Sequence, residues 1–149
     1  MSKMDPFIDE YYMKQALAEA RLAAEEGEVP VGAVIVSGDR IIARAHNQTE
    51  LLNDPTAHAE MLAITSAAGT LGAKYLTDCY LYVTIEPCVM CAGAIAWSQL
   101  STLIYGAKDE KRGYTSFAPN ALHPKTKVRY SIMEVECADL MKSFFQNRR

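Results

Sequence analysis

Stretches with helical and with extended hydrophobic spacing alternate along the chain. Residues 9–26 repeat apolar side chains three and four positions apart, which predicts an amphipathic helix with Asp9 as its N-cap and Gly27 just beyond its end. Two β-rich runs, residues 31–37 and 40–46, flank a glycine-aspartate pair that is typical of a tight turn. The first third of the chain therefore predicts a helix followed by a β-hairpin.

The same alternation continues through the middle of the chain. Asp54 is a suitable N-cap for a helix that begins at Pro55, where the missing N–H costs nothing, and that runs to about residue 71. Residues 80–85 are rich in β-branched and aromatic side chains and predict a buried strand. Small side chains dominate residues 88–97, which predicts a helix that packs closely against its neighbours.

The last third of the chain adds two short strands, residues 102–105 and 129–133, and a final helix at residues 137–146. The resulting order is α-β-β-α-β-α-β-β-α. Helices that interleave with strands after an opening hairpin predict an α/β fold, in which helices cover both faces of a mixed sheet. The pattern leaves the order of the strands in that sheet open.

Length and composition agree with one ordinary globular domain over residues 1–149. Half of the residues are apolar and 22% are charged, which excludes disordered, collagen-like and coiled-coil proteins. We find no apolar run that could cross a bilayer and no signal-peptide pattern, and we therefore expect a cytoplasmic protein. The four cysteines then predict metal binding, catalysis or core packing before disulfides.

The net charge of −3 argues against a protein that coats nucleic acid generally, since such proteins are normally basic. The charge is nevertheless divided unevenly along the chain. Residues 1–99 carry 13 acidic and 6 basic side chains, whereas residues 100–149 carry 5 acidic and 9 basic ones. The basic part is either an ordinary solvated face or a local phosphate-binding surface on an acidic body.

Cys88 and Cys91 form a pair at the start of the third predicted helix. A spacing of three places both sulfur atoms on one helical face, and a helix N-terminus favours the thiolate form that binds zinc. A redox Cys-x-x-Cys motif and two buried core thiols are the alternatives at this segment. The pair by itself does not decide among them.

His58 and Glu60 lie near the start of the second predicted helix. With His58, the two cysteines would supply three zinc ligands, the number typical of a catalytic site that keeps water in its fourth position. Glu60 would then be the proton shuttle, although it also fits an ordinary glutamate in the first turn of a helix. Positions i and i+2 diverge on a regular helix, so the spacing alone does not place His58 and Glu60 in one site.

Four further side chains could supply a metal ligand, but none has paired ligand spacing: His46, Cys79, His123 and Cys137. Cys79 begins a strand and Cys137 lies in the apolar phase of the last helix, so both fit core positions better than ligand positions. The three-ligand set therefore remains the best candidate.

A longer match is carried by residues 28–34 (EVPVGAV), 54–60 (DPTAHAE) and 81–94 (LYVTIEPCVMCAGA). Together with the His-x-Glu and Pro-Cys-x-x-Cys motifs inside them, these segments resemble the bacterial tRNA-specific adenosine deaminases, and the resemblance extends over nearly the whole chain. It implies a cytidine-deaminase-like three-layer α/β/α sandwich with a central mixed sheet of about five strands. It also implies hydrolytic deamination of the wobble adenosine to inosine in a tRNA anticodon loop.

The resemblance further implies roles for individual residues. His58, Cys88 and Cys91 would hold one zinc ion per chain together with a water molecule, and Glu60 would carry protons to the purine ring and the leaving ammonia. The implied partners are a tRNA anticodon stem-loop and a second copy of the chain, with neither a membrane nor DNA. Five more residues match positions that contact the substrate: Val29, Asn47, Ala59, Ile85 and Asp109.

The chain departs from the family at residues 114–117, where many members have a run of small side chains. Tyr114 and Phe117 could stack on unpaired bases, or they could pack the loop in a different way. Two other functions remain open. One is a free-base deaminase for guanine or cytosine with the same zinc chemistry, and the other is a non-catalytic zinc or nucleic-acid binding module, which would not need Glu60.

Overall fold

The structure of this chain, a computed structural model, describes residues 6–147. Five helices and five strands follow one another in this part of the chain. In order they are α1 (Pro6–Glu25), β1 (Gly32–Ser37), β2 (Arg40–His46), α2 (Ala59–Leu71), β3 (Cys79–Ile85), α3 (Val89–Ser98), β4 (Thr102–Ala107), α4 (Tyr114–Phe117), β5 (Lys127–Tyr130) and α5 (Glu134–Gln146). None of the described helices combines the length and the apolar character needed to cross a membrane.

The strands form one mixed sheet in the order β2-β1-β3-β4-β5. β1 pairs antiparallel with β2 in the predicted hairpin, and its other edge pairs antiparallel with β3. β4 runs parallel to β3, and β5 runs parallel to β4. Because parallel strands end at the same edge of a sheet, the segments that follow β3 and β4 meet there, which is where α/β proteins usually bind ligands.

Two hydrophobic cores lie on opposite faces of this sheet, because successive side chains of a strand point to opposite faces. On one face Ala33 and Ile35 of β1 pack with α2 and α3, and on the other face Val34 and Val36 pack with α1 and α5. The predicted three-layer α/β/α architecture is therefore confirmed. α2 turns a stripe of small buried side chains toward the sheet, which allows a close approach: Ala59, Ala63 and Ala67.

The predicted N-cap role of Asp9 is wrong, because α1 begins at Pro6 and Asp9 lies within its first turn. The Asp9 carboxylate is buried and accepts hydrogen bonds from the Tyr82 hydroxyl at 2.7 Å and from the Arg129 guanidinium at 2.8 and 2.9 Å. These contacts tie α1 to β3 and β5. Partners that lie 73 and 120 residues away leave no local pattern in the sequence.

The predicted start of the second helix is also wrong. α2 begins at Ala59 rather than at Pro55, and Asp54 instead accepts hydrogen bonds at 2.8 Å from the backbone N–H and the hydroxyl of Thr56. Such a local side-chain turn competes with helix formation, which explains why the chain turns before it enters α2. The later start leaves His58 in extended backbone directly before the helix.

Smaller differences lie in the last third of the chain. The strand predicted at residues 129–133 is β5 at Lys127–Tyr130, and the final helix begins three residues earlier than predicted, at Glu134. The predicted order also lacks α4, which is too short to produce a periodic pattern. Within α4, Tyr114 packs in the core and is not available to stack on a base, whereas Phe117 is 65% exposed.

α1 lies directly on the sheet at Gly32, the first residue of β1. A Cβ atom at this position would overlap the carbonyl oxygen of Ala16 and the backbone nitrogen of Ala20, both in α1. The backbone of a packed helix cannot move aside cheaply. The close approach of two backbones therefore requires glycine here.

We expect Gly32→Ala to lower the free energy of unfolding by about 1–3 kcal/mol, because the added methyl group overpacks the contact between α1 and β1. Gly69→Ala is the matched control, since Gly69 lies within α2 and a Cβ atom there would meet nothing within 4 Å. The control should raise stability by about 0.5–1 kcal/mol, because glycine is unfavourable inside a helix. Urea denaturation measures both effects, and a Gly32→Ala variant as stable as the wild type would refute the close-packing explanation.

Candidate active site

A cavity of about 620 Å³ opens at the edge of the sheet where β3 and β4 end. Its volume falls in the range of small-molecule sites, about 300–1,000 Å³. Four of the five residues that the sequence predicts as substrate contacts line this cavity: Val29, Asn47, Ile85 and Asp109. The fifth, Ala59, is fully buried and is not among the lining residues.

The side chains of His58, Cys88 and Cys91 form a cluster beside this cavity. The Nδ1 atom of His58 lies 3.7 Å from the sulfur of Cys88 and 3.5 Å from the sulfur of Cys91. All three candidate ligand atoms lie within 4.8 Å of one another. One nitrogen and two sulfur donors at such separations can bind a single metal ion.

Two helix N-termini bring these side chains together. His58 is the N-cap of α2, in extended backbone with φ −77° and ψ 153°. Cys88 is the N-cap of α3, also in extended backbone, with φ −74° and ψ 175°. Cys91 follows in the first turn of α3, three positions after Cys88. Both sulfur atoms therefore reach the same imidazole nitrogen.

Glu60 reaches the same cavity from the first turn of α2. The divergence expected between positions 58 and 60 applies to a regular helix, but His58 lies outside α2 and is not subject to it. Glu60 is only 4% exposed. Burial raises the pKa of its carboxyl group to about 7, because the charged form loses its hydration.

The two thiols of the cluster differ in acidity. A hydrogen bond from Cys91 lowers the pKa of Cys88 to about 4, against the opposing effect of burial, and a hydrogen bond from His58 acts in the same direction. The hydrogen bond to Cys88, together with burial, raises the pKa of Cys91. Both hydrogen bonds favour the thiolate form of Cys88, the form in which cysteine binds metal.

Asn47 connects the end of β2 to the start of α2. Its Oδ1 atom accepts the backbone N–H of Ala59 at 3.1 Å and so satisfies one of the open donors at this helix N-terminus. The side chain is buried, and its amide nitrogen has no hydrogen-bond partner within residues 6–147. Since Asn47 lines the cavity, this amide can donate to a bound ligand.

Glu28 is a buried residue that sequence reasoning does not single out, and its carboxylate binds a loop that lines the cavity. Its Oε1 atom accepts the backbone N–H of Glu50 at 3.1 Å, and its Oε2 atom accepts that of Leu51 at 2.8 Å. These bonds hold the loop that carries Asn47 and Thr49 to the cavity. Only these hydrogen-bond partners, 22 and 23 residues away, distinguish Glu28 from a solvated glutamate. The residues next to Glu28 in the sequence carry no signal that does so.

Asp109 is at once a turn residue and a cavity residue. Its Oδ1 atom accepts the backbone N–H of Lys111 at 3.1 Å and that of Arg112 at 3.0 Å. Both of these basic residues also line the cavity, and α5 adds Met141 and Phe145. Sequence reasoning noticed the basic charge of this region and the apolar phase of α5, but it did not place these four side chains at the site.

The four other candidate ligands lie outside the cluster. His46 lies between two carboxylates, with its ring nitrogens 2.8 Å from Glu19 and 3.0 Å from Glu26. The Nδ1 atom of His123 accepts a backbone N–H from two residues further along the chain. The other two are buried core thiols whose pKa values are raised by burial, Cys79 and Cys137.

The chain is similar to known deaminases over nearly its whole length. The family model of the MafB19-like deaminases matches residues 7–149. The tRNA-specific adenosine deaminase of Aquifex aeolicus (strain VF5) is 46% identical over 145 residues, which cover 94% of this chain and 95% of the relative. The chain belongs to the tRNA-specific adenosine deaminase family.

Solved structures share the fold of this family member. One comes from a study of A-to-I editing by tRNA:A34 deaminases at the wobble position of transfer RNA. It is 44% identical, with a TM-score of 0.82, and the match covers 87% of this chain and 98% of that one. A guanine deaminase from Bacillus subtilis is 40% identical, with a TM-score of 0.64, over 76% of this chain and 70% of its own. The longer and closer match favours the tRNA enzymes over the free-base enzyme.

We expect Cys88→Ala to lose its bound metal, because only two donors of the cluster remain. Metal analysis of the purified protein by mass spectrometry should detect the ion in the wild type and little of it in the variant. Cys79→Ala is the matched control, since it removes a buried thiol outside the cluster and should keep the metal. A full metal complement in Cys88→Ala would contradict the assignment of this residue as a ligand.

Proposed function

We propose that the chain catalyses the hydrolytic deamination of the wobble adenosine to inosine in a tRNA anticodon loop. The observation that carries this proposal is the meeting of a donor cluster of one nitrogen and two sulfurs with the buried Glu60 at one cavity, in a chain of this family. The reaction replaces the amino group of adenine with oxygen from water and releases ammonia. We also propose that this enzyme acts in the cytoplasm.

We infer that the cluster holds one zinc ion. Imidazole nitrogen and thiolate sulfur are donors that zinc prefers. Donors at about 2.0–2.3 Å from a tetrahedral zinc ion lie about 3.6 Å from one another. The separations of 3.5 and 3.7 Å from the His58 nitrogen fit this geometry. A zinc ion held by His58, Cys88 and Cys91 would lower the pKa of a water molecule and so supply a nucleophile near neutral pH.

Glu60 is the proposed catalytic residue that moves protons. Of the three acidic residues that line the cavity, Asp109 and Glu86 use their carboxylates to bind backbone N–H groups of a loop. Glu60 instead lines the cavity together with His58 and Cys88 of the cluster. Its carboxylate takes a proton from the attacking water and delivers it to the ring nitrogen N1. It then passes the proton of the new C6 hydroxyl to the amino group, so that the C6–N6 bond breaks and ammonia leaves.

The remaining cavity residues bind the nucleotide. The side-chain amide of Asn47 donates a hydrogen bond to the base edge, while Val29 and Ile85 provide apolar walls for its faces. Ala59 contributes through its bond with Asn47 and not by lining the cavity. Asp109 and the basic side chains beside it contact the flanking nucleotides, where positive charge neutralises phosphate.

We also propose that two copies of the chain associate through α3. Val89 and Met90 at the start of this helix and Trp97 near its end are exposed, and Trp97 is 83% exposed. Because positions seven and eight apart lie on one helical face, these side chains form a single apolar patch. A second copy presents the same patch, so a twofold arrangement buries both.

We expect Glu60→Gln to retain zinc and to lose about 10²–10⁴-fold in kcat, because glutamine keeps the shape of glutamate but cannot carry the proton. Inosine formation in an anticodon stem-loop measures the loss, and metal analysis measures the zinc. Glu25→Gln makes the same change at an exposed glutamate of α1 and should leave both values unchanged. Substantial turnover by Glu60→Gln would contradict the proposed role of Glu60 in proton transfer.

The choice of substrate separates the proposed function from its free-base alternative. We expect the enzyme to form inosine in an anticodon stem-loop with adenosine at the wobble position, and to release no ammonia from free guanine, cytosine or adenosine. A base in a loop is already unpaired, so little of the few kcal/mol needed for base flipping has to be supplied. Ammonia release from free guanine or cytosine, without inosine formation in the stem-loop, would contradict the proposed function in tRNA deamination.

A further inference from the structure

Glu86 is a buried carboxylate for which the proposed reaction has no use. It follows β3 directly, lies two positions before Cys88, and is only 4% exposed. Within the described part of the chain, no lysine or arginine forms an ion pair with it. A buried charge without a counter-ion persists only if hydrogen bonds satisfy its oxygen atoms.

Both oxygen atoms of Glu86 are satisfied by one loop, residues 109–115. Oε1 accepts the backbone N–H of Asp109 at 3.1 Å. Oε2 accepts the backbone N–H of Thr115 at 3.0 Å and the hydroxyl of the same residue at 2.6 Å. One carboxylate therefore holds the first and the last residue of this loop.

Backbone contacts place the same loop against the segment that carries Cys88. The N–H of Tyr114 donates to the carbonyl of Pro87 at 2.9 Å, and Cys88 forms an isolated β-bridge with Gly113. Gly113 also lies so close to Glu86 that a Cβ atom on it would overlap the carboxylate. Residues 109–115 and the segment that carries Cys88 are thus packed as one unit.

This loop carries the groups that we propose to contact RNA. Asp109, Lys111 and Arg112 all line the cavity, and the Asp109 carboxylate binds the backbone N–H groups of the other two. Contacts between basic side chains and phosphates fix the register and orientation of a bound nucleic acid, so they depend on where the backbone places those side chains. A shift of Asp109 would therefore move all three groups together.

We propose that Glu86 is a positioning residue for RNA binding. It fixes residues 109–115 against the segment that carries Cys88 and so holds Lys111 and Arg112 in the lining of the cavity, where they bind the RNA that flanks the target base. The identity of this ligand rests on the proposed function, whereas the position of the loop is a property of the protein alone. Because Glu86 acts through other residues, its loss should raise KM more than it lowers kcat.

Glu86→Gln tests this proposal. The glutamine amide would turn its NH2 group toward at least one of the donors that now bond to the carboxylate, and that hydrogen bond would be lost because NH2 cannot accept one. We expect KM for an anticodon stem-loop to rise about tenfold, kcat to change by less than about threefold, and zinc to be retained. The dependence of binding on salt should become shallower as phosphate contacts are lost. The backbone N–H groups of Asp109 and Thr115 should exchange faster with deuterium.

Two threonine variants make the test independent of how well Glu86→Gln folds. Thr115→Val removes one hydroxyl bond to Glu86 at an exposed position, so it should fold and should raise KM by a smaller factor in the same direction. Thr126→Val is the matched control. Its hydroxyl donates to the carbonyl of Leu100, outside the cavity lining, and its removal should leave KM unchanged.

Two results would overturn the proposal. One is unchanged deuterium exchange at residues 109–115 in Glu86→Gln, or in Thr115→Val if the first variant does not fold. The other is a fall in kcat as large as the rise in KM, which is the result expected of a general structural defect. If the wild-type enzyme does not deaminate the stem-loop, the proposed function fails, and the exchange of these amides still decides whether Glu86 positions the loop.

Discussion

The site depends on one constraint, which is that donor atoms from two separate helix N-termini must meet within a few ångströms. His58 and Cys88 are 30 residues apart in the chain, and each occupies the extended N-cap of its helix. The sheet sets their distance, because α2 and α3 pack on the same face of it through small side chains that allow close approach. Asn47 then fixes the start of α2 through the N–H of Ala59, so that the donor cluster, Glu60 and the side-chain amide of Asn47 share one framework.

Buried carboxylates hold the segments around this framework in place. Asp9 pairs with Arg129 and joins α1 to the far edge of the sheet, whereas Glu28 and Glu86 accept backbone N–H groups of the two loops that line the cavity. Hydrogen bonds to a charged acceptor are shorter and stronger than those between neutral groups. Each carboxylate therefore stabilises one position of the segment that it binds. The same interactions that complete the fold therefore define the shape of the cavity.

The distribution of charge reconciles an acidic chain with an RNA substrate. Lys111 and Arg112 belong to the cavity lining, where a local positive charge is useful despite a net charge of −3. Arg129, by contrast, is taken up by the ion pair with Asp9, so part of the basic excess after residue 100 serves the fold. Counting charges along the sequence could not separate these two uses.

The sequence by itself determined the features that depend on neighbours a few residues away. These are the helix that contains residues 9–25, the hairpin, the strand around residues 80–85, and the position of Cys88 and Cys91 on one face of a helix. The sequence determines them because the hydrophobic period and the spacing of ligands are local. Only the tertiary structure decided the strand order, the true starts of α1 and α2, and the convergence of His58 with Glu60. It alone showed which groups the carboxylates of Glu28 and Glu86 bind, since these partners lie 21 to 29 residues away. A hydrogen bond between a buried carboxylate and a distant backbone N–H leaves no periodic signal in a sequence, since any residue except proline can supply that donor.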